Sequence, residues 1–222
     1  MGEILFIPHG GGPLPLLDDP GYARLAEMLK TLGPCVAGCK AIIIVTAHWE
    51  TDRPTLTNES KPGMLYDYYG FPEEAYNIQY PAPGAPLLAE QVAASLAANG
   101  FDPTFDEGRG FDHGVYVPMT LIWPEATIPI LQMSVMSSFN PAEHIALGRA
   151  LAPFLQDDIA LIGSGFSFHM ALIRCGERRL RRFTRRQAIC VPFSCCWAIP
   201  RWTAPSGILV WNWMMRWRSL RA

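Results

Sequence analysis

Charge is scarce in this sequence: Asp, Glu, Lys and Arg make up 17% of its 222 residues, while half are hydrophobic. That balance excludes a disordered or low-complexity chain. No apolar run approaches the roughly 18 residues a membrane-crossing helix requires, so no spanning segment is expected. The opening Met1-Gly2-Glu3-Ile4-Leu5-Phe6 has no basic region and breaks at Pro8. A signal peptide is therefore not expected, and the cytoplasm is the expected compartment. The six cysteines then read as thiols and not as a disulfide framework. Several signatures are also missing. There is no G-x-x-x-x-G-K-[ST] phosphate loop, and His9-Gly10-Gly11-Gly12 has neither the lysine nor the dinucleotide-binding pattern. Gly163-Ser164-Gly165 does not complete the G-x-S-x-G elbow of serine hydrolases.

What is present is a body of alternating short apolar runs and helical patterns. The expected fold is α/β, a single domain with a central, mostly parallel sheet flanked by helices. Ile4–Ile7 forms the first expected strand, and a helix over 22–32 follows, stopped by Gly33-Pro34. The β-branched run Ala41–Ala47 is the strongest strand and ends at His48; Thr55–Thr57 is another short one. A helix is expected over 87–98, a short helix or turn over 116–123, and a strand over 128–135. Asn140-Pro141 caps a helix running to about Gln156, before a last strand at Ile159–Ile162.

The charge is unevenly spread. Residues 1–170 hold 7 Lys and Arg against 19 Asp and Glu, a balance of −12. Residues 171–222 hold 11 Arg and one acid, Glu177, a balance of +10; the two sum to the chain's −2. Five of the seven tryptophans and four of the six cysteines also lie in that last segment. The expected organisation is a body over 1–170 and an anomalous Arg/Trp/Cys-rich tail over 171–222. Out-of-frame sequence from about Ala171 accounts for such a composition. A basic arm for nucleic acid or an anionic membrane is the alternative.

Three of the five histidines share one structural address. His9, His48 and His169 each fall just past an expected buried strand, and the ligand crevice of an open α/β sheet lies outside the carboxyl ends of its strands. Neutral imidazole binds Fe, Zn, Cu or Ni, so three converging rings point to a metal site. A lone histidine after a strand is ordinarily a hydrogen-bonded loop residue, and it is the shared address that favours the site. His113, in Arg109-Gly110-Phe111-Asp112-His113-Gly114, is a fourth candidate; Asp112 either orients a neighbouring imidazole or caps the next helix. His144 is expected at the surface. Cys35-x3-Cys39 is a poor zinc spacing.

Residues 61–86 are too irregular for regular elements and too aromatic for a linker. Met64, Tyr66, Tyr68, Tyr69, Phe71, Tyr76 and Tyr80 would line a pocket for a flat aromatic substrate, with Tyr69 taken as a substrate contact, or pack the loop onto the body.

Six ordered motifs carry a family resemblance: Phe6-Ile7-Pro8-His9-Gly10, Ala47-His48-Trp49-Glu50, Leu65-Tyr66-Asp67-Tyr68-Tyr69-Gly70-Phe71-Pro72, Tyr80-Pro81-Ala82-Pro83-Gly84, Gly110-Phe111-Asp112-His113-Gly114 and Gly163-Ser164-Gly165-Phe166-Ser167-Phe168-His169. Together they resemble the class III extradiol ring-cleavage dioxygenases, the subunit-B-like family that includes DOPA-type enzymes. The resemblance covers roughly residues 4 to 170. It implies that His9 and His48 are metal ligands, that His169 stands at the metal as ligand or acid/base, and that His113 lines the substrate pocket. It further implies Fe(II) for catalysis, with Zn(II) able to occupy the same site, and a catechol-type substrate and O2 as partners. No nucleic-acid or membrane partner is expected, and a homo-oligomer is possible. The family's remaining ligand, a histidine or glutamate near the C-terminus, has no histidine counterpart after His169; Glu177 is the only late acid. Two other readings remain. One is a non-catalytic zinc-binding or interaction protein on this scaffold. The other is a metal-dependent hydrolase using Glu50, the acid adjacent to His48.

Overall fold

The computed structural model describes residues 2–165. His169 and the tail from Ala171 lie outside the described residues. In chain order the elements are β1 (Ile4–Pro8), α1 (Ala23–Lys30), α2 (Gly33–Val36), β2 (Ala41–Thr51), β3 (Thr55–Thr57), α3 (Pro86–Ala98), β4 (Thr104–Asp106), α4 (His113–Ile122), β5 (Ile130–Met136), α5 (Pro141–Leu151) and β6 (Ile159–Gly165). The strands form one sheet in the order β1-β6-β2-β5-β3-β4. β1, β6, β2 and β5 run parallel, β3 is antiparallel to β5, and β4 pairs parallel with β3. The α/β architecture with a mostly parallel sheet is as expected.

Successive side chains of a strand point to opposite faces, and in β2 both faces are apolar. Ile42 and Ile44 pack with Leu25 and Leu29 of α1 and with Val115 and Met119 of α4. Ile43 and Val45 pack with Val92 and Leu96 of α3 and with Leu147 and Leu151 of α5. A strand buried on both sides has no polar alternation, which is why the run 41–45 is continuous and why it sits centrally. No helix among the described residues is long and apolar enough to cross a membrane. Cys35 and Cys39 are free thiols.

Three departures from expectation bear on the site. β2 does not stop at Ala47; it continues to Thr51, so His48 lies within the strand. Its register against β5 jumps from Val45↔Met133 to Glu50↔Val135. Five steps along β2 thus match two along β5, and the surplus residues around His48 bulge out of the ladder. Such a bulge re-aims a side chain. Second, Gly33-Pro34 opens the single turn α2 where a stop was expected, because proline is tolerated in a first turn. Third, α4 starts at His113, three residues before the expected start. Asp112 is its N-cap and accepts from the Gly114 amide.

Candidate metal centre

The parallel strands all deliver their carboxyl ends to one edge, and the site is built there. His9 follows β1, its amide donating to Gly165 O at the end of β6 (3.3 Å). It is fully buried. Its Nδ1 lies 2.8 Å from Ser164 Oγ, and Ser164 Oγ donates its own proton to Gly114 O. That carbonyl is open to Ser164 because its helical partner would be the amide of Pro118, which has no N–H. With its proton committed to Gly114, Ser164 accepts from His9. His9 therefore carries its proton on Nδ1 and presents the lone pair of Nε2.

The Nε2 atoms of His9 and His48 are 2.8 Å apart. The backbone beneath His48 is held from both sides. The His48 amide donates to Thr46 Oγ1 (3.0 Å), and Thr46 Oγ1 donates to Asp112 Oδ1 (3.0 Å). On the other side, the Arg109 guanidinium lies 4.5 Å over the Trp49 ring and donates to Asp112 Oδ2 (2.9 Å). The Gln132 side chain and the Gly114 amide complete the set of donors to Asp112. Four donors satisfy a carboxylate that is fully buried, the condition under which a buried charge is tolerated. Of the two roles weighed for Asp112, the structure shows the helix cap; no imidazole among the described residues is hydrogen-bonded to it.

His113, the first residue of α4, closes the group. Its ring centroid is 4.0 Å from that of His48 and 5.1 Å from that of His9. Ligand atoms of His9, His48 and His113 all lie within 4.8 Å of one another. The Nδ1 of His113 is 2.7 Å from Asp67 Oδ1, which also accepts from the His113 amide (3.2 Å). Asp67 Oδ2 stands 3.7 Å from Nδ1 of His48.

Burial, and then the neighbouring His48 and His113, hold the His9 imidazole well below its ordinary value. Burial and then His113 likewise depress His48. Both are therefore neutral near pH 7, the form that ligates a metal. Burial opposes ionisation of Asp67, but its hydrogen bonds with His113, together with the electrostatic influence of the neighbouring His113 and His48 rings, outweigh it and keep the carboxyl below the usual carboxylate range. An anion thus stands beside three nitrogens. These donors fit a divalent transition metal: bonds of about 2.1 Å put two nitrogens on one ion roughly 3.0–3.4 Å apart, close to the 2.8 Å already spanned by His9 and His48.

Gly114 explains why the wall of this site is bare. A Cβ there would lie 2.5 Å from Thr46 Oγ1 and 3.2 Å from Cδ2 of His48. Gly114→Ala is expected to destabilise the fold by about 1–3 kcal/mol, the usual range for overpacking, and to weaken metal uptake through His48. Thermal unfolding and a metal titration on the same sample check both.

The aromatic segment divides between packing and approach to the site. Tyr80 is core, with its hydroxyl on Trp123 O (2.9 Å). Tyr66 donates to Ile78 O (2.7 Å), and Tyr68 donates to Ala75 O (2.6 Å) while accepting from Tyr116 (2.6 Å). Tyr68 brings its ring within 5.9 Å of His113. Tyr69, expected to touch substrate, is 92% exposed; alternation along the segment turns Tyr66 and Tyr68 inward and leaves Tyr69 outside. His144, expected at the surface, is buried. Its Nε2 accepts from the Met136 amide (3.2 Å) and its Nδ1 meets Asn140 O (2.8 Å), which ties the start of α5 to the end of β5. Glu50, the acid considered for a hydrolase, is exposed two residues beyond His48. The carboxylate that reaches the histidines is Asp67, which the residue-by-residue reading passed over. No local signal marked it: Asp67 is an exposed residue between two inward-turned tyrosines, and its partner His113 lies 46 positions away in the chain.

Residues 15–172 match the family described as the catalytic LigB subunit of aromatic ring-opening dioxygenase. Dioxygenase tasH of Hapsidospora irregularis is 47% identical over 178 residues, covering 76% of this chain and 55% of that protein. The 4,5-DOPA dioxygenase extradiol of Beta vulgaris is 39% identical over 75% of this chain and 62% of its own length. The Escherichia coli (strain K12) protein of the same name is 37% identical over 74% and 59%. Among solved structures, uncharacterized protein JW3007 from Escherichia coli K12 superposes with a TM-score of 0.52 at 33% identity, covering 63% of this chain and 52% of that one. The chain spans about 55 to 62% of the length of these curated relatives.

Proposed function

The chain belongs to the family of the catalytic LigB subunit of aromatic ring-opening dioxygenases, and from that premise we propose that it is an extradiol dioxygenase that opens a catechol-type ring with O2 at an Fe(II) centre. The observation that carries the proposal is the convergence of His9, His48 and His113 at the carboxyl edge of the parallel sheet. Relatives named 4,5-DOPA dioxygenase extradiol support the reaction class.

In this mechanism His9 and His48 would hold the metal through Nε2, with His169 the further candidate beyond the described residues. Bound Fe(II) would supply coordination positions for both catecholate and O2 and allow electron transfer between them. The rest of the work belongs to side chains. Ser164 fixes the His9 tautomer, and Asp112 with Arg109 fixes the backbone that carries His48. His113, with Nδ1–H on Asp67, offers the lone pair of Nε2 to a substrate hydroxyl proton. Asp67 then stabilises the imidazolium, and the proton is returned when the ring opens. His169 is the second acid/base candidate. Tyr68, edge-on to His113, forms the aromatic wall against which a flat ring would lie.

Anaerobic loading with Fe(II), followed by oxygen uptake on adding a panel of catechols, tests the proposal. The expected result is uptake of one O2 per catechol with a yellow ring-opened product. A nitrogen-only donor set also suits redox-inert Zn(II). Tight zinc binding without oxygen uptake from iron-loaded protein would overturn the dioxygenase in favour of a binding protein on this scaffold.

A further inference from the structure

Resting on that reading, we infer that Asp67 is a positioning residue that sets both His48 and His113 and makes the Tyr-rich segment a structural part of the metal site. The backbone brings it there. Leu65 N donates to Phe111 O (2.8 Å) and Phe111 N donates to Gly63 O (2.8 Å), so residues 63–65 run alongside the approach to α4. Two residues on from each of these partners, Asp67 and His113 meet. Tyr66 and Tyr68, on either side of Asp67, are anchored by their hydroxyls to Ile78 O and Ala75 O. The carboxylate is thereby fixed by its own loop and turned towards the histidines.

Its two oxygens divide the work. Oδ1 takes both the amide and the ring Nδ1 of His113, at 3.2 and 2.7 Å. One oxygen clamping amide and ring locks the side-chain rotation of His113 and selects the tautomer with Nε2 unprotonated. Oδ2 faces Nδ1 of His48 at 3.7 Å, so a small closure of the site onto a cation would give His48 the same partner. A carboxylate behind a ligating histidine orients the ring and raises its basicity, and its loss commonly costs about 10–100-fold in metal affinity. A helix cap alone would not do this. Asp112 already caps α4 through the Gly114 amide, which leaves the ring contacts of Asp67 to be accounted for.

The experiment uses the full chain in three forms: wild type, Asp67→Ala and Asp67→Asn. Zn(II) affinity is measured by competition with a chromogenic chelator. The histidine tautomers of the metal-free proteins are read from 15N NMR at pH 8, with His113 assigned through a His113→Gln variant. Wild type is expected to show His113 protonated at Nδ1. Asp67→Ala should shift His113 towards the Nε2-protonated form and weaken Zn(II) about 10–100-fold. Asp67→Asn retains an acceptor oxygen, so it should keep the tautomer and recover part of the affinity. An unchanged tautomer in Asp67→Ala, or affinities within twofold of wild type, would overturn the inference. Failure of wild type itself to bind Zn(II), with the tautomer still responding to Asp67, would overturn the metal-site reading and the affinity part of the inference, leaving only the orientation of His113.

Discussion

Replacing His48 by alanine is expected to remove metal binding and turnover together while leaving the fold standing. The side chain supplies one of the two nitrogens that already stand 2.8 Å apart, and its removal leaves a cation with His9 and the more distant His113. Losing a direct ligand should exceed the penalty for losing a partner behind one, so affinity should fall by more than about a hundredfold. His48 is the better test of the pair because its side chain is 32% exposed. Truncation there opens no cavity, and the melting temperature of metal-free protein should move by no more than about 2 °C. His9→Ala would confound the result: its ring is fully buried and hydrogen-bonded to Ser164, so the variant would combine ligand loss with a cavity and an orphaned hydroxyl. Chelator competition and differential scanning calorimetry on His48→Ala separate the two effects. Retained iron-dependent oxygen uptake in that variant would remove His48 from the site.

The sheet was legible because burial writes itself into composition. Ile42 to Val45 is apolar on both faces, and the uncapped run can only be a central strand of a parallel sheet. What the pattern could not show is where β2 stops serving the core and starts serving the site. Thr46, His48 and Glu50 are polar, so the strand reads as finished, yet it continues through a bulge that a period-two pattern cannot encode. β4 was invisible for another reason: three residues at the sheet edge, with Phe105 40% exposed, carry no periodicity. Proline misled once, at Pro34. Pro34 sits within the opening turn of α2, and Pro118 lies inside α4, where the carbonyl it leaves open on Gly114 receives Ser164.

The site shows the same division. His9 and His48 were read as candidates from expected strand ends; the structure keeps His9 just past β1 but sets His48 inside β2, at the bulge. His113 was placed near the substrate, and the structure adds it to the same cluster. Asp67 and Ser164 act through hydrogen bonds across 46 and 155 positions of chain, and no local window contains such a pair. The buried His144 failed as a surface residue because both its nitrogens find backbone partners, and a helix-start position does not announce that a strand end lies within reach.

His113 carries the second large effect, and its two conceivable roles give different numbers. As the base on a catechol hydroxyl, it acts only when substrate is turning over. His113→Gln should then lower kcat by about 10²–10⁴-fold, the usual contribution of a positioned acid/base group, with metal affinity within about tenfold of wild type. Glutamine keeps a polar side chain of similar reach, and its amide can still donate to Asp67 Oδ1, so the mouth of the site should hold its shape. The step it cannot perform is to take a proton. As an indispensable ligand, by contrast, the residue would carry metal affinity down with it, and kcat per bound metal would be nearly unchanged. The ring positions permit a clear outcome, since His113 lies closer to His48 than to His9 and is tethered from behind by Asp67. The measurement is oxygen uptake normalised to bound iron, taken beside a chelator titration of the same preparation. A fall in normalised rate with iron retained assigns the base, and a loss of iron at constant normalised rate moves His113 into the ligand set.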